Sequence, residues 1–383
     1  MIQSILDTDL YKASMQQAVL ELYPDAEVTY KFINRGTQRF GYKFLETLKN
    51  EIAKMAALSL TDAEYEWVKI ACPYFKPAYL EYLKNYRFNP AEVETHIRKN
   101  GDLSITISGK WYSTILWEVP LLALVSEVYF YTVKTEWQMD GQDTKALNKG
   151  QALFEANAKF AEFGTRRRRS FDVQDLVVKQ LAKGGDNCFL GTSNMLLAMK
   201  YNVKPIGTMA HELIMATSVL ESYNHANRFA MENWLKIYPN DLGIVLTDTY
   251  GSEAFFKEFD LTFAKRYVGL RQDSGSPIEF GNMAIEHYEK LGIDPMTKTI
   301  IFSDSLNVDK VIAINKYFKN KINVSFGVGT HFSNDFDKSP ALNIVIKLNS
   351  VNGFPVVKLS DVDGKETGDP TAVKIMKSIY GRK

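Results

Sequence analysis

Short apolar runs alternate with helical patterns over the second half of the chain, from about residue 186 onward. Each run ends in a small, polar or turn-forming region, and these ends fall near Gly191, Gly207, Thr247, Leu270, Phe302 and Phe326. Successive ends after Gly207 are 40, 23, 32 and 24 residues apart, which is close to one strand and one helix per repeat. The pattern predicts parallel strands whose carboxyl ends meet at one edge, where active sites of such folds lie.

The hydrophobic pattern is different near the two termini. Residues 95–108 predict a hairpin around the Asn100-Gly101 turn, residues 143–163 predict an amphipathic helix, and residues 342–359 predict two strands. We therefore expect an α/β protein in which residues 136–344 form an irregular (β/α) barrel. Residues 1–135 are expected to form an additional α+β domain, which the C-terminal tail, residues 345–383, joins.

Composition excludes several classes of protein. The chain has 383 residues with 46 Lys and Arg against 45 Asp and Glu, so its net charge of +1 indicates neither a nucleic-acid partner nor a membrane surface. Its two cysteines, Cys72 and Cys188, form no CxxC pair, and a reducing cytoplasm is expected. Acidic residues stand where a signal peptide needs bases, and no apolar run approaches ~18 residues, so we predict no membrane span.

The first candidate for chemistry is His211, which follows Gly207 and opens a helical pattern. A helix N-terminus favours anions and lowers imidazole protonation, leaving a nitrogen lone pair free for attack. Asp248 follows the apolar run 243–246, where its carboxylate could orient the ring of His211 or simply cap a helix.

Two further strand ends carry charge. Arg271 can clamp a phosphate, and Asp273 beside it can hold ribose hydroxyls or a Mg²⁺-bound water, although a surface turn with a local ion pair is the alternative. Asp304 is a second ribose or metal candidate, unless it caps the next helix. Gly327, Gly329 and Thr330 end another apolar run, where successive backbone N–H groups can cradle a phosphate.

A run of four arginines begins at Arg166, three residues after Phe163. A basic run is commonly a solvated face or an RNA contact, but the neighbouring ring suggests a pocket for a flat anion, with a guanidinium on its carboxylate. We expect at most two of the four to face one pocket. A further candidate group supplies hydroxyls and an amide at a strand end, or only a helix cap: Thr192, Ser193 and Asn194.

The order of these motifs resembles the nicotinate phosphoribosyltransferase family, over nearly the whole chain. The resemblance begins with Thr8-Asp9-Leu10-Tyr11-Lys12 and continues through Phe163 to Arg167, residues 191–194, residues 207–212 and Arg271 to Gly275, ending at residues 326–330. It implies transfer of phosphoribose from 5-phosphoribosyl 1-diphosphate to nicotinate in NAD biosynthesis. It also implies coupling to ATP hydrolysis and Mg²⁺ as cofactor.

The resemblance further implies residue roles. His211 would be the histidine that ATP phosphorylates, with Arg271, Asp273 and Asp304 handling phosphoribosyl diphosphate and Mg²⁺. Phe163 would stack on nicotinate and Arg166 would pair with its carboxylate. Tyr11 would be a second stacking ring, supplied in the family by the other subunit of a homodimer with shared active sites. Gly327, Gly329 and Thr330 would hold the 5′-phosphate.

Three alternatives stay open at this point. The same scaffold could use nicotinamide, although Arg166 and Arg167 favour an acid. A sensor could bind phosphoribosyl diphosphate without catalysis, and an RNA-binding protein could use Arg166 to Arg169, although the net charge counts against it.

Overall fold

The computed structural model describes residues 1–184, 187–362 and 364–382, and these contain two β-sheets. The strands are β1 (Glu27–Asn34), β2 (Val93–Ile97), β3 (Leu103–Lys110), β4 (Phe160–Glu162), β5 (Phe189–Thr192), β6 (Ile244–Leu246), β7 (Gly269–Gln272), β8 (Thr299–Phe302), β9 (Asn323–Val328), β10 (Ile344–Val351) and β11 (Phe354–Pro355). The helices are α1 (Leu10–Leu22), α2 (Tyr42–Met55), α3 (Asp62–Ala71), α4 (Pro77–Asn85), α5 (Trp111–Thr114), α6 (Glu118–Thr132), α7 (Gln142–Glu155), α8 (Phe171–Ala182), α9 (Met195–Tyr201), α10 (His211–Leu220), α11 (Ala226–Ile237), α12 (Ser252–Glu258), α13 (Leu261–Arg266), α14 (Pro277–Lys290), α15 (Val308–Phe318), α16 (Thr330–Ser333) and α17 (Pro370–Ile379).

The first sheet is antiparallel and has the order β11-β10-β1-β3-β2. The predicted hairpin is confirmed, because β2 and β3 pair with Thr95 opposite Ile105 across the turn at Asn100 and Gly101. Alternate residues of β3, among them Ile105 and Ile107, are buried, which is the pattern of a sheet with one face on the core. The C-terminal strand β10 lies beside β1, so this sheet combines both ends of the chain.

The second sheet is parallel and has the order β5-β4-β9-β8-β7-β6. The predicted α/β class, a barrel-like parallel unit with an additional α+β domain, is confirmed. The unit is irregular because the segment beyond β5 pairs only through a single bridge between Thr192 and Pro205. The carboxyl ends of all these strands lie at one edge, as parallel pairing requires.

Two predicted elements were wrong in detail. The helix expected over residues 143–163 ends at Glu155, and Phe160 to Glu162 form β4 in the middle of the parallel sheet. All three residues of β4 are buried, so they carry no alternation that would mark a strand. The run ending at Gly207 is not a strand, since Pro205 has no N–H to donate to a ladder.

The tail divides between the two units, in contrast to the expectation that all of residues 345–383 join the first domain. Strand β10 joins the antiparallel sheet, whereas the segment after β11 returns to the barrel. There the backbone N–H of Leu359 donates to the carbonyl of Thr249 at 2.8 Å. Tyr380, the residue after α17, also stacks on Tyr250, with ring centroids 4.5 Å apart. The expected boundary between residues 135 and 136 stays a prediction.

The helical stretch Trp111–Thr132 is long and apolar enough to cross a membrane by length and composition alone, which the sequence analysis did not anticipate. However, 89% of its most apolar window is buried inside the protein. Glu118 and Glu127 within it are engaged by Lys12 and Arg168. The stretch therefore has the environment of a core helix.

Candidate active site

His211 is the first residue of α10 and is almost fully buried. Its Nδ1 lies 2.9 Å from the hydroxyl of Thr249, and its Nε2 lies 2.8 Å from the ammonium of Lys358 and 3.2 Å from a carboxylate oxygen of Asp273. Every ring nitrogen is therefore held by a partner. The ring itself lines a recess shared with Arg271 and Asp273.

The imidazole of His211 is neutral near pH 7. Burial lowers its pKa to about 4, and the charge of Lys358 acts in the same direction, while the nearby carboxylates only partly oppose them. A neutral ring keeps a lone pair on one nitrogen, which is the requirement for a nucleophile.

Asp248 lies next to this ring but does not orient it in the way the sequence suggested. Its Oδ1 is 3.7 Å from Nε2 of His211, and the hydrogen-bond partner of the other nitrogen is Thr249. The Oδ2 of Asp248 instead accepts hydrogen bonds from Ser274 at 2.6 Å and Lys358 at 3.1 Å. Burial would raise the pKa of Asp248, but His211 and Lys358 outweigh burial and lower it. Asp248 is thus a carboxylate that anchors Lys358.

Asp273 connects the histidine to the next strand. One oxygen faces His211, while the other accepts hydrogen bonds from Ser303 at 2.8 Å and Arg271 at 3.2 Å. Burial would raise the pKa of Asp273, but the charge of Arg271 and the contact with His211 hold it well below its usual value. Arg271 also donates to Ser303 at 2.9 Å, which fixes the guanidinium at the end of β7.

A cavity of about 340 Å³, which we call the ring cavity, adjoins this centre. Tyr11, Phe163, Arg166, Ser193 and Arg271 are among the residues that line it. The tyrosine and the phenylalanine belong to the same chain, so this cavity receives both rings without a second copy. Burial and Glu118 raise the pKa of the Tyr11 phenol well above its usual value, so it stays protonated.

Phe163 depends on a glycine in the neighbouring strand. A Cβ atom at Gly327 would lie 2.3 Å from the Phe163 ring, which no side chain could tolerate without displacing that ring. Gly327, Gly329 and Thr330 line a small recess together with Phe163 and Arg271. The recess brings the predicted phosphate cradle to the base of the ring cavity.

The four arginines separate into two pairs. Arg166 and Arg167, at a tight turn over Thr165–Arg167, line the cavities, whereas Arg168 and Arg169 are fully buried. Arg168 binds both oxygens of Asp7 at 2.6 and 2.9 Å and Glu127 at 2.8 Å. This arrangement agrees with the expectation that at most two arginines face one pocket while the others are solvated or salt-bridged, because Arg168 is salt-bridged. Arg169 is buried and hydrogen-bonded instead.

A polar cleft of about 280 Å³ lies on the other side of Arg166. Its lining includes Arg35, Arg166, Arg167, Lys347, Lys358, Lys365, Asp273 and Asp304. Burial lowers the pKa of Lys347 to about 8, assisted by Lys358, and burial and Arg166 lower the pKa of Arg167 to about 10. Crowded, partly desolvated cations of this kind are stabilised by a polyanion.

The two carboxylates of the cleft bear on the expected Mg²⁺. Among the described residues no group of three or more His, Cys, Asp or Glu side chains could hold a metal ion. Asp273 and Asp304 both line the cleft. In the part of the chain that the structure describes, Asp304 accepts a hydrogen bond from Ser305 and otherwise has only a contact with Lys365 at 3.9 Å. Mg²⁺ is commonly bound by one or two carboxylates together with substrate phosphates, and this donor set fits that mode.

The predicted group at the end of β5 points in more than one direction. Ser193 lines the ring cavity and donates to Asp9 at 2.7 Å. Thr192 donates to the buried Glu162 at 2.6 Å. The side chain of Asn194 accepts from the backbone of Leu197 and so caps α9, which was the alternative weighed for this residue.

Sequence reasoning missed Thr249, Lys347 and Lys358. Thr249 adjoins the recognised Asp248, and an extended strand-end motif could have included it. The two lysines come from the C-terminal region, 136 and 147 positions beyond His211, and nothing local distinguishes them from surface lysines. A separate cavity of about 320 Å³ between Tyr250 and Arg382 contains none of the predicted site residues.

A parallel α/β unit that gathers a neutral histidine, an aromatic cavity and a basic cleft at its strand ends has the build of a protein that binds a planar ring beside a polyanion. Comparison with known sequences specifies it further. Residues 6–126 match the N-terminal domain model of the nicotinate phosphoribosyltransferase (NAPRTase) family, and residues 158–383 match the model of the family itself. The chain belongs to the nicotinate phosphoribosyltransferase family.

Individual relatives agree along the full length. The chain is 51% identical to the nicotinate phosphoribosyltransferase of Methanosarcina mazei, covering 100% of this chain and 99% of the relative. It superposes on the crystal structure of nicotinate phosphoribosyltransferase from Porphyromonas gingivalis with a TM-score of 0.97, at 40% identity and with 100% of both chains covered. A putative nicotinate phosphoribosyltransferase structure from Saccharomyces cerevisiae gives 0.96 at 41% identity, covering 100% of this chain and 99% of the other.

Proposed function

We propose that this chain is an enzyme that joins nicotinate to 5-phosphoribosyl 1-diphosphate, forming nicotinate mononucleotide and diphosphate. The observation that carries the proposal is the position of Arg166, which lines both the ring cavity and the polar cleft. A planar acid in the first and a sugar polyphosphate in the second would therefore meet at one guanidinium. Relatives that match the whole chain are named for this activity.

The ring cavity suits a small aromatic acid. Tyr11 and Phe163 supply aromatic faces, and Arg166 supplies a fork that can bind a carboxylate at two points. Glu118 is 3.7 Å from Arg166, and the charge of this carboxylate raises the pKa of the guanidinium against the effect of burial, so Arg166 stays charged.

Nicotinamide remains the closest alternative substrate. Asp9 also lines the ring cavity, so a carboxylate is present that could accept a hydrogen bond from an amide. However, burial raises the pKa of Asp9, and its hydrogen bond with Ser193 already engages one oxygen. The fixed cation at Arg166 therefore favours the acid.

In the transfer step the pyridine nitrogen forms a bond to the anomeric carbon, and the bond from that carbon to the diphosphate oxygen breaks. The diphosphate leaves with the bonding electrons, so negative charge increases at the cleft while the sugar becomes oxocarbenium-like. Arg167, Arg271 and Lys347 lie where they would stabilise the leaving group, and the recess at Gly327, Gly329 and Thr330 would hold the 5′-phosphate. Mg²⁺, held by Asp273 and Asp304, would neutralise part of the polyphosphate charge.

We further propose that ATP phosphorylates His211. The lone pair of a ring nitrogen attacks the γ-phosphorus, the bond to the β–γ bridging oxygen breaks, and ADP leaves with that electron pair. The new dianion would lie among Lys358, Arg271 and Lys347 and favour the substrate-binding arrangement of the cleft. Hydrolysis after turnover would reset the site and couple ATP to net synthesis.

The expected homodimer with shared sites belongs to this proposal in a modified form. Because Tyr11 lines the cavity of its own chain, a dimer would not need to exchange this ring. A mixture of Tyr11→Ala and His211→Ala chains distinguishes the two arrangements, since activity returns only if the sites are shared. A cytoplasmic location is also proposed, since Cys72 and Cys188 are free and buried.

The deciding experiment is a turnover assay with nicotinate, phosphoribosyl diphosphate and Mg²⁺, with and without ATP. Release of diphosphate with nicotinate, and much less with nicotinamide, is expected. His211→Ala should abolish ATP hydrolysis and ATP stimulation while slow ATP-independent transfer remains. No diphosphate release with either pyridine would favour a non-catalytic sensor, and substrate-coupled ATPase in the variant would refute the phosphohistidine.

A further inference from the structure

The Nε2 atom of His211 has two incompatible neighbours. Lys358 Nζ, 2.8 Å away, can only donate a hydrogen bond, whereas Asp273 Oδ2, 3.2 Å away, can only accept one when ionised. If Nε2 carries the proton it bonds to Asp273, and if it carries the lone pair it bonds to Lys358. The ring therefore has a choice between two tautomers, and these neighbours bias it in opposite directions.

We propose that Lys358 is a positioning residue that selects the tautomer of His211 in which Nε2 keeps its lone pair. The contact of Nε2 with Lys358 is shorter than its contact with Asp273. The Asp273 oxygen must therefore compete with the Lys358 ammonium for a hydrogen bond with Nε2. On the opposite side of the ring the Thr249 hydroxyl, 2.9 Å from Nδ1, accepts the proton that this tautomer places there. Both nitrogens are then satisfied.

Lys358 is held in place from several sides. Its ammonium also donates to Asp248 Oδ2 at 3.1 Å, and its backbone exchanges hydrogen bonds with Thr367 at 3.0 and 2.9 Å. The next residue, Leu359, donates to the carbonyl of Thr249 at 2.8 Å. Thr249 thus fixes the imidazole with its side chain and the C-terminal segment with its backbone, so docking of the tail and orientation of the ring depend on one residue.

The inference gives the C-terminal segment a defined task in the proposed phosphorylation. Asp273, which contacts Nε2, lines the same recess as the ring, so we assign attack on the γ-phosphorus to the lone pair of Nε2. The ammonium of Lys358 must then turn from Nε2 to the arriving phosphoryl oxygens. The Nε2–P bond forms, ADP leaves with the electron pair, and the Nδ1 proton stays on the ring. This consequence rests on the phosphohistidine of the proposed function, whereas the tautomer itself does not.

The tautomer can be tested without ATP, by ¹⁵N NMR of the full-length protein labelled at histidine nitrogens near pH 7.5, with the signals of His211 assigned by its absence in His211→Ala. We expect a pyridine-type Nε2 and a pyrrole-type Nδ1. Lys358→Met should shift the ring toward the Nε2–H form, since only Asp273 then competes for Nε2. A wild-type ring with the proton on Nε2, or no change in Lys358→Met, would overturn the inference.

Phosphorylation provides a second readout, the initial rate of ³²P transfer from γ-labelled ATP to protein histidine. Lys358→Met should lower this rate about 100-fold, as loss of a positioned donor commonly does, and Lys358→Arg should restore most of it. Lys374→Met is the matched control, because it removes an ammonium from an exposed position on α17, in the same C-terminal region but outside the lining of the cleft and the recess. An equal loss in Lys374→Met would mean a general charge effect and contradict the inference.

Phosphorylation of His211 and the tautomer of its ring can be tested separately. Absence of labelled histidine in wild type would refute the proposed function and leave the tautomer result valid. If Lys358→Met fails to fold, Thr249→Val replaces it, since this variant keeps the side-chain shape and removes the Nδ1 acceptor. Thr249→Val should also weaken the preference for the Nδ1–H tautomer, and an unchanged preference would contradict the arrangement described here.

Discussion

Arg166 and Arg167 differ from Arg168 and Arg169 in everything except their place in one run of four identical residues. The first pair lines cavities, and its only ion pair within 4 Å in the described structure is the 3.7 Å contact of Arg166 with Glu118. The second pair is fully buried, with Arg168 bound to two carboxylates and Arg169 packed on Phe130 at 3.6 Å. The guanidinium donors of the first pair are available to a ligand, whereas those of the second pair are hydrogen-bonded within the protein.

The buried pair of arginines makes the turn rigid, and the pair that lines the cavities is positioned by that turn. The buried pair ties the segment after β4 to α6 and to the N-terminal segment at Asp7. The turn that carries Arg166 is therefore fixed at its far end before any substrate arrives. Preorganisation of this kind reduces the entropy lost when the ligand is bound.

The largest expected effect is on the free energy of unfolding and comes from replacing a buried arginine. Arg168→Met leaves Asp7 and Glu127 without their cation in the interior, so the free energy of unfolding should fall by about 3–5 kcal/mol. Denaturant titration measures this change. Arg228→Met is the control, because Arg228 is 43% exposed and its ion pairs should contribute less than about 1 kcal/mol. Equal losses in the two variants would contradict the structural role of Arg168.

The next effect concerns the cavity half. Arg166→Lys keeps the charge but removes the planar fork, so kcat/KM for nicotinate should fall about 100-fold, or about 2.7 kcal/mol. Discrimination against nicotinamide should narrow at the same time, and the free energy of unfolding should change little.

Arg167→Lys provides the matched comparison in the same turn. Arg167 lines the polar cleft and not the ring cavity, so its effect should appear in KM for phosphoribosyl diphosphate. Steady-state kinetics with each substrate varied in turn measures both. A large loss of nicotinate recognition in Arg167→Lys alone would reverse the assignment of the two arginines.

The smallest expected effect concerns Glu162, a buried carboxyl group whose hydrogen-bond partners are neutral, in contrast to the ion-paired Arg168. Glu162, at the end of β4, is fully buried, and among the described residues its side chain is held only by Thr192, Gln174 and the Gly164 backbone. Burial raises the pKa of Glu162 from 4.5 to about 7, so the folded state binds a proton that the unfolded state releases. Stability from this group is present below about pH 4.5 and is lost as the pH rises through about 7.

Glu162→Gln should remove that loss. Relative to wild type the variant should be similar at pH 4.5 and more stable at pH 8, by on the order of 1–3 kcal/mol. Denaturant titrations across this pH range measure the difference between the two proteins, which cancels groups such as His211 that titrate in both. A difference that stays constant with pH would exclude a raised pKa at Glu162.

Much of the fold followed from patterns that are local. The hairpin at Asn100-Gly101, the helix beginning at His211 and the parallel strands ending near Thr247, Leu270 and Phe302 were all accessible in this way. Strand β4 was not, because its three residues are buried on every side and continue an apolar helical pattern. The segment before His211 is apolar, and for this reason a strand was expected there. It contains Pro205 and pairs only through one bridge, so it is not a strand.

The candidate site likewise contains residues that local sequence patterns indicate and partners that only the fold brings close. Asp248, Asp273 and Asp304 were recognisable because each follows a strand, and Arg271 because it lies near the end of β7. His211 was recognisable because it opens a helix, and parallel topology brings the strand ends together. The partners that determine what His211 can do were less visible. Thr249 replaces Asp248 as the ring's anchor, and Lys358 reaches the ring from 147 residues away.

The sequence by itself determined the parallel architecture and the family, and it supplied the candidate site residues, because strand periodicity, turn residues and motif order are local features of the chain. Only the tertiary structure decided which arginines line the cavities and which are bound within the fold, which carboxylate holds Lys358, and which groups contact each nitrogen of His211. Those outcomes depend on distances of about 3 Å between groups far apart in the chain, where one change of partner exchanges a hydrogen-bond donor for an acceptor.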